Sequence, residues 1–197
     1  MFRVIIAAVA ALWALTPSRG DACGNAVLAT DKTVAAVKEA EKILDDGAPV
    51  EARRRIQDLL GGGEAFDERT PSAKGLTKRA HRIIALADVR IDDRQGERRK
   101  VVLANAVSVL SRLADDSPDD AAKKADLAEA LAKTHAGKAK KILEDLAKRD
   151  VVATAYAYAA LARLRASDGD EKGRDEAMTR CKQMAKPEKV ASICKLK

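Results

Sequence analysis

Few residues in this 197-residue chain have the type and spacing to do chemistry. Three cysteines, Cys23, Cys181 and Cys194, could bond to one another or hold a metal, and His81 and His135 are its only histidines. Neither histidine has a partner at the helical or loop spacing that general base catalysis or metal binding needs, which favours structural or surface roles. No Cys-x-x-Cys, His-Glu-x-x-His, Gly-x-Ser-x-Gly or Cys-x-x-Cys-His occurs. Gly61-Gly62-Gly63 offers backbone for a phosphate, but no Gly-Lys-Ser/Thr follows and no strand precedes it, so it reads as a loop. These patterns lead us to expect a non-enzymatic protein with no cofactor and no metal. A carboxylate pair assembled only by folding stays open.

The cysteines acquire a chemistry from the start of the chain. Arg3 gives a positive start, Val4 to Leu15 is an unbroken apolar run, and Gly20-Asp21-Ala22 places small residues at the −3 and −1 positions of a cleavage site. Twelve helical residues reach about 18 Å, well short of the roughly 30 Å of a bilayer core, so Met1 to Ala22 reads as a secretory signal rather than an anchor. We expect cleavage near Ala22, a periplasmic or secreted location, and no transmembrane segment in residues 23–197. Arg19 and Asp21 flank Gly20 where a lipid-attachment signal is apolar, so Cys23 is not read as lipidated. An oxidising compartment favours disulfides. Cys181 with Cys194 is the preferred pair, because Pro187 can begin a new helix and set the two across a hairpin; Cys23 with either remains the alternative. A bridge over about 13 residues contributes about 3 kcal/mol.

Charge supplies the other candidate chemistry. The formal net charge is +7, of which Arg3 and Arg19 against Asp21 account for one unit. Basic clusters stand at Arg53-Arg54-Arg55, Arg98-Arg99-Lys100, Lys123-Lys124 and Lys138-Lys140-Lys141. Stacked helices would align three of the four along one side, a stripe suited to an acidic protein, an anionic lipid head group or an envelope polymer. Straight-chain basic residues are also good helix formers on a solvated face, and that plainer reading stands beside it. Export and the scarcity of aromatic platforms argue against nucleic acid.

The elements that must position these groups are helices. Apolar residues recur at helical spacing, and no run of alternating β-branched residues suggests a sheet. Thr30 or Asp31 caps a first helix that Gly47 ends. Pro49 opens a second that reaches Gly61, and Gly61 to Lys74 is a loop. A third helix carries Leu76 to Ile91, followed by Arg98 to Ala114, Asp119 to Lys133, Lys138 to Lys148, Val152 to Ala166 and Asp170 to Met184, then a short cap from Pro187 to Cys194. Tyr156 and Tyr158 point about 200° apart, so only one can be deeply buried.

One spacing returns through the chain. Ala106, Leu110 and Leu113, with Pro118 beyond, recur 33 residues later as Ala139, Leu143 and Leu146. Ala52, Ile56 and Leu59 carry the same pattern on one side, and Arg174, Met178 and Cys181 a degraded copy on the other. Gly47 and Gly169 fall five residues ahead of two copies, where helices must turn, and Thr134 takes that place in a third. A period near 34 marks helix-turn-helix repeats. These residues, with Ala40 and Ala162 twelve positions before two of the copies, resemble the tetratricopeptide (TPR) repeat over roughly Thr30 to Met184. Most of that family's aromatic positions are missing, Leu113 is larger than the family prefers, and Arg174 replaces a small residue. The resemblance implies an all-α fold, a single domain over 23–197 of about four helix-turn-helix units with a capping helix, and a protein or peptide partner held in a groove of first helices. By spacing, the groove positions include Val34, Val37, Glu41, Lys124, Ala128, Leu131, Tyr156 and Arg163. Of these, Lys124, Tyr156 and Arg163 suit a peptide carboxylate or backbone.

Overall fold

The helical spacing is realised throughout the computed structural model, which describes residues 20–61, 71–91 and 96–195, with side chains for 31–61, 73–91 and 96–195. The elements are α1 (Gly20–Asp45), α2 (Pro49–Gly61), α3 (Pro71–Arg90), α4 (Gly96–Asp115), α5 (Ala121–Leu131), α6 (Ala136–Lys148), α7 (Ala155–Ser167) and α8 (Glu171–Met184). A single 3-10 turn (Pro187–Lys189) and a four-residue α9 (Val190–Ile193) complete them. Among the described residues there is no strand, and no helix is long and apolar enough to cross a membrane.

Two expected boundaries are corrected. Thr30 and Asp31 sit inside α1, which begins at Gly20. Threonine or aspartate inside a helix costs no more than about 0.7 kcal/mol, so both are tolerated within α1. The loop expected to reach Lys74 ends earlier, since Pro71 opens α3; proline's fixed φ and missing N–H suit a first helical position. The rest of that loop, 62–70, and residues 1–19 of the expected Met1 to Ala22 signal lie outside the described residues.

The repeated triplets lie in the core. Ala52, Ile56, Ala106, Leu110, Leu113, Ala139, Leu143, Leu146, Met178 and Cys181 are all buried, with Leu59 packed partly against them. Six of these are of leucine size (Ile56, Leu110, Leu113, Leu143, Leu146 and Met178), and burying each such side chain contributes about 1.5–3 kcal/mol. Three turns share one C-terminal device. In each, a left-handed residue follows the helix (Gly47, φ 83°; Asp150, φ 53°; Gly169, φ 76°) and the next N–H bonds back five residues, Ala48 to Ile43, Val151 to Leu146 and Asp170 to Arg165. Helix starts are fixed by side chains: Asp120 accepts from the N–H groups of Ala122 and Lys123, Thr154 from Ala157, and Asp170 from Gly173.

Sequential packing makes four hairpins, α1/α2, α3/α4, α5/α6 and α7/α8, arranged as a stack of helix-turn-helix units with α9 against the last. First helices also touch directly, α1 with α3, α3 with α5 and α5 with α7. Second helices make no comparable contact among the described residues. Elements close on one side and spread on the other curve a stack, so the first helices form its inner face. Alanine permits that approach: in α7, Ala155, Ala157, Ala159, Ala160 and Ala162 are all buried, with Tyr158, while Tyr156 is only half-buried.

Two stability outcomes follow. Leu143→Ala removes a fully buried repeat residue and should cost about 2–5 kcal/mol by denaturant titration, whereas Val101→Ala, on the exposed face of α4, should stay within about 0.5 kcal/mol. On α7, Arg165 donates to both carboxylate oxygens of Glu144, at 2.8 and 2.6 Å, and these hydrogen bonds hold the Glu144 carboxyl below its ordinary 4.5. Its folded pKa is the lower one, so the pair's contribution is complete above pH 4.5 and is lost as pH falls through the folded value. Glu144→Gln should therefore lose about 1 kcal/mol at pH 7, a deficit that closes on acidification; a difference independent of pH would refute the assignment.

Candidate functional site

The inner face carries a charged seam. Asp126 and Glu129 lie in a stretch of α5, Ala125 to Leu131, that is buried throughout. Carboxylates in such a place must be paired, because an isolated charge out of water costs several kcal/mol. Both partners come from α3: Arg82 donates to Asp126 at 2.6 and 3.1 Å, and Arg90 to Glu129 at 2.8 and 2.9 Å. The second pair is almost wholly enclosed, with 4% and 5% of the side chains exposed. Arg79 extends the seam to the first unit, donating to Glu41 from Nε at 2.9 Å and from its second guanidinium arm. Burial pushes the Asp126 carboxyl above its ordinary range, against the pull of the Arg82 guanidinium.

Arg90 is the hub. It also donates to the Leu44 carbonyl at the end of α1 (3.3 Å), and its guanidinium carbon sits 3.6 Å from the ring centroid of Tyr156 in the first turn of α7. One side chain thus joins the first, second, third and fourth units. Cation–π contacts strengthen as they lose water, to about 2 kcal/mol. Burial lifts the Tyr156 phenol above its usual value. Beside the ring, a cavity of about 210 Å³ opens at the junction of the first and last units, lined by Asp45, Asp46, Thr154, Tyr156, Lys186 and Lys189 among others. A larger hollow of about 540 Å³ lies on α3 and α4, where exposed His81 stands with Lys78, Arg112 and Asp116. Lys78 pairs with Asp116 there at 2.6 Å. His135 is exposed ahead of α6. Among the described residues, no group of three His, Cys, Asp or Glu is placed to hold a metal.

The residues expected to line a peptide groove lie on the first helices α1, α5 and α7, in different settings. Tyr156 belongs to the Arg90 hub, and Arg163, two turns further along α7, donates to the Lys195 carbonyl at 3.3 Å. Lys124 is half-buried in the first turn of α5, and no hydrogen bond or ion pair joins it to either. Val37, Ala128 and Leu131 are core, and Glu41 is paired with Arg79. The basic clusters meet in part. Arg53 of α2 and Arg99 of α4 converge on the last turn of α3: Arg53 Nε forms an ion pair with Asp88 Oδ1 (3.1 Å) without hydrogen-bond geometry, and Arg99 donates to the carbonyls of Asp88 and Val89 at 2.6 and 3.0 Å. Cations there complement the negative end of the helix. Arg54 pairs with Asp58, Arg55 with Glu39 and Lys100 with Glu97, while Arg98 is exposed. Cys181 and Cys194 are joined, with Cα atoms 5.9 Å apart, as preferred; the Cys23 side chain lies outside the described residues.

Sequence reasoning missed the seam. Its one local signal is two acids three apart in the otherwise Ala/Leu run Ala125 to Leu131. Arg90→Met should cost about 3–5 kcal/mol, since it strands a buried carboxylate, and adding Glu129→Leu should recover most of that loss. Additive losses in the double variant, measured by denaturant unfolding, would show that the pair is not the source. Compared with protein-family models, curated proteins and solved structures, the chain matches none.

Proposed function

We propose that this chain is a non-enzymatic scaffold of the cell envelope, exported by the Met1–Ala22 signal, whose TPR-like hairpins hold a protein or peptide on their inner face. The observation that carries this reading is the asymmetry of packing: first helices touch in sequence while second helices do not, which leaves one continuous, curved face of first helices. The seam fixes that face in shape before any partner arrives, and preorganisation lowers the ordering cost of binding. Lys124 and Arg163 are the side chains on it best suited to a peptide's carboxylates or carbonyls. The Cys181–Cys194 bridge fits an oxidising compartment.

A second reading has its own support. Arg53 and Arg99 meet at the end of α3, with Arg54 and Arg98 exposed nearby in sequence, a basic surface suited to an anionic lipid or polymer.

Capture on the immobilised chain at two salt concentrations separates them, with bound material identified by mass spectrometry. For the scaffold, a saturable protein partner persists at about 0.3 M salt, where exposed charges are screened beyond a few ångströms. Lys124→Glu with Arg163→Glu should weaken it at least about tenfold, about 1.4 kcal/mol. Unchanged affinity in that variant would refute the groove, and recovery of anionic lipid or polymer only at low salt would favour the second reading.

A further inference from the structure

The chain leaves α8 at Ala185 in an extended conformation, makes the 3-10 turn and α9, and returns to α8 through the Cys181–Cys194 bridge. Elements of three and four residues have no independent helical stability, and Ile193 is the one large aliphatic side chain buried between the two cysteines. This strap nevertheless reaches the opposite end of the stack. Lys186 pairs with Asp46, 140 residues away, and the Ser192 hydroxyl oxygen lies 3.8 Å from where a Cβ on Gly47 would stand. Lys189 and Ile193 line the small cavity together with Asp45 and Thr154.

We propose that residues 185–194 are a redox-released clasp: the Cys181–Cys194 bridge holds the strap on the α1/α2 turn, and reduction frees the strap and opens the junction of the first and last units. This inference is independent of the binding reading. The reductant is a dithiol. Its thiolate attacks the sulfur of Cys194, the less enclosed residue of the two at 9% exposure against 0%, and displaces the Cys181 thiolate. The second thiol then attacks the mixed disulfide; two electrons and two protons end on Cys181 and Cys194, and the dithiol departs as a disulfide. Tyr156 remains stacked on Arg90, which confines the opening to the strap and the turn it covers.

Amide hydrogen exchange on the full chain, oxidised and then reduced with dithiothreitol, tests the clasp. The reporters are Gly47 and Ala48, whose N–H groups bond to Leu44 and Ile43, with 139–146 in α6 as reference. On reduction, exchange at the turn and the strap should rise together by about tenfold or more, with α6 unchanged. In the oxidised chain, Lys186→Glu should accelerate the turn alone, and Asp46→Lys with Lys186→Asp should restore it. A turn indifferent to reduction would overturn the proposal, and so would acceleration of α6 with the turn, because the bridge would then be holding the whole fold.

Discussion

The enclosed pair Arg90–Glu129 is the interaction on which the rest of the structure turns. A guanidinium and a carboxylate removed from water must be matched in number and direction, or the desolvation cost exceeds any gain from packing around them. Arg90 meets that condition with two hydrogen bonds to Glu129, one to the Leu44 carbonyl and the face of Tyr156. Every partner comes from a different helix. The position of each inner helix is thereby tied to one point, and α7 in particular is brought with its first turn against the α1/α2 turn, where Gly47 leaves room for the Tyr156 hydroxyl.

The seam also sets register. Arg82 and Arg90 are eight residues apart on α3, about 12 Å, whereas Asp126 and Glu129 are three apart on α5, about 4.5 Å. The two pairs therefore converge from one helix onto the other, a geometry that a straight, parallel slide of one turn would destroy. Apolar packing is not directional, whereas paired charges accept only one alignment. Buried polar groups are well attested as register devices in helical assemblies. Here they compensate for a core with few aromatic anchors.

What the sequence made legible follows from period. Helical spacing is redundant, with several residues voting for each helix, so the hairpins, the buried triplets and the Gly47 and Gly169 turns could be read directly, while spacing allowed only one of Tyr156 and Tyr158 to be deeply buried without saying that it is Tyr158. The Cys181–Cys194 pairing followed from one proline and an expected compartment. Boundaries were less legible: Pro71 looked like loop punctuation, although proline is as good at starting a helix as at breaking one. The seam was illegible for a different reason. Its members are 38 to 46 residues apart, and nothing local distinguishes Arg82 or Arg90 from arginines that face water. A spacing argument finds faces of one helix; it does not find which charge on one face meets which on another.

The same point bears on the net charge of +7. A count of cations treats each as available, yet the fold commits many of them: Arg79, Arg82 and Arg90 to the seam, Arg99 to the end of α3, Arg165 to Glu144 and the Gly173 carbonyl. Those are arginines, whose planar fork suits two bonds at once, whereas Lys124 has no ion pair among the described residues and Lys138 and Lys141 are exposed. The cations of the buried seam are all arginines, whereas surface ion pairs use both types, as in Arg54–Asp58 and Lys78–Asp116. Of the arginines that stood out in sequence as basic motifs, Arg53, Arg54, Arg55 and Arg99 already have partners and Arg98 is exposed.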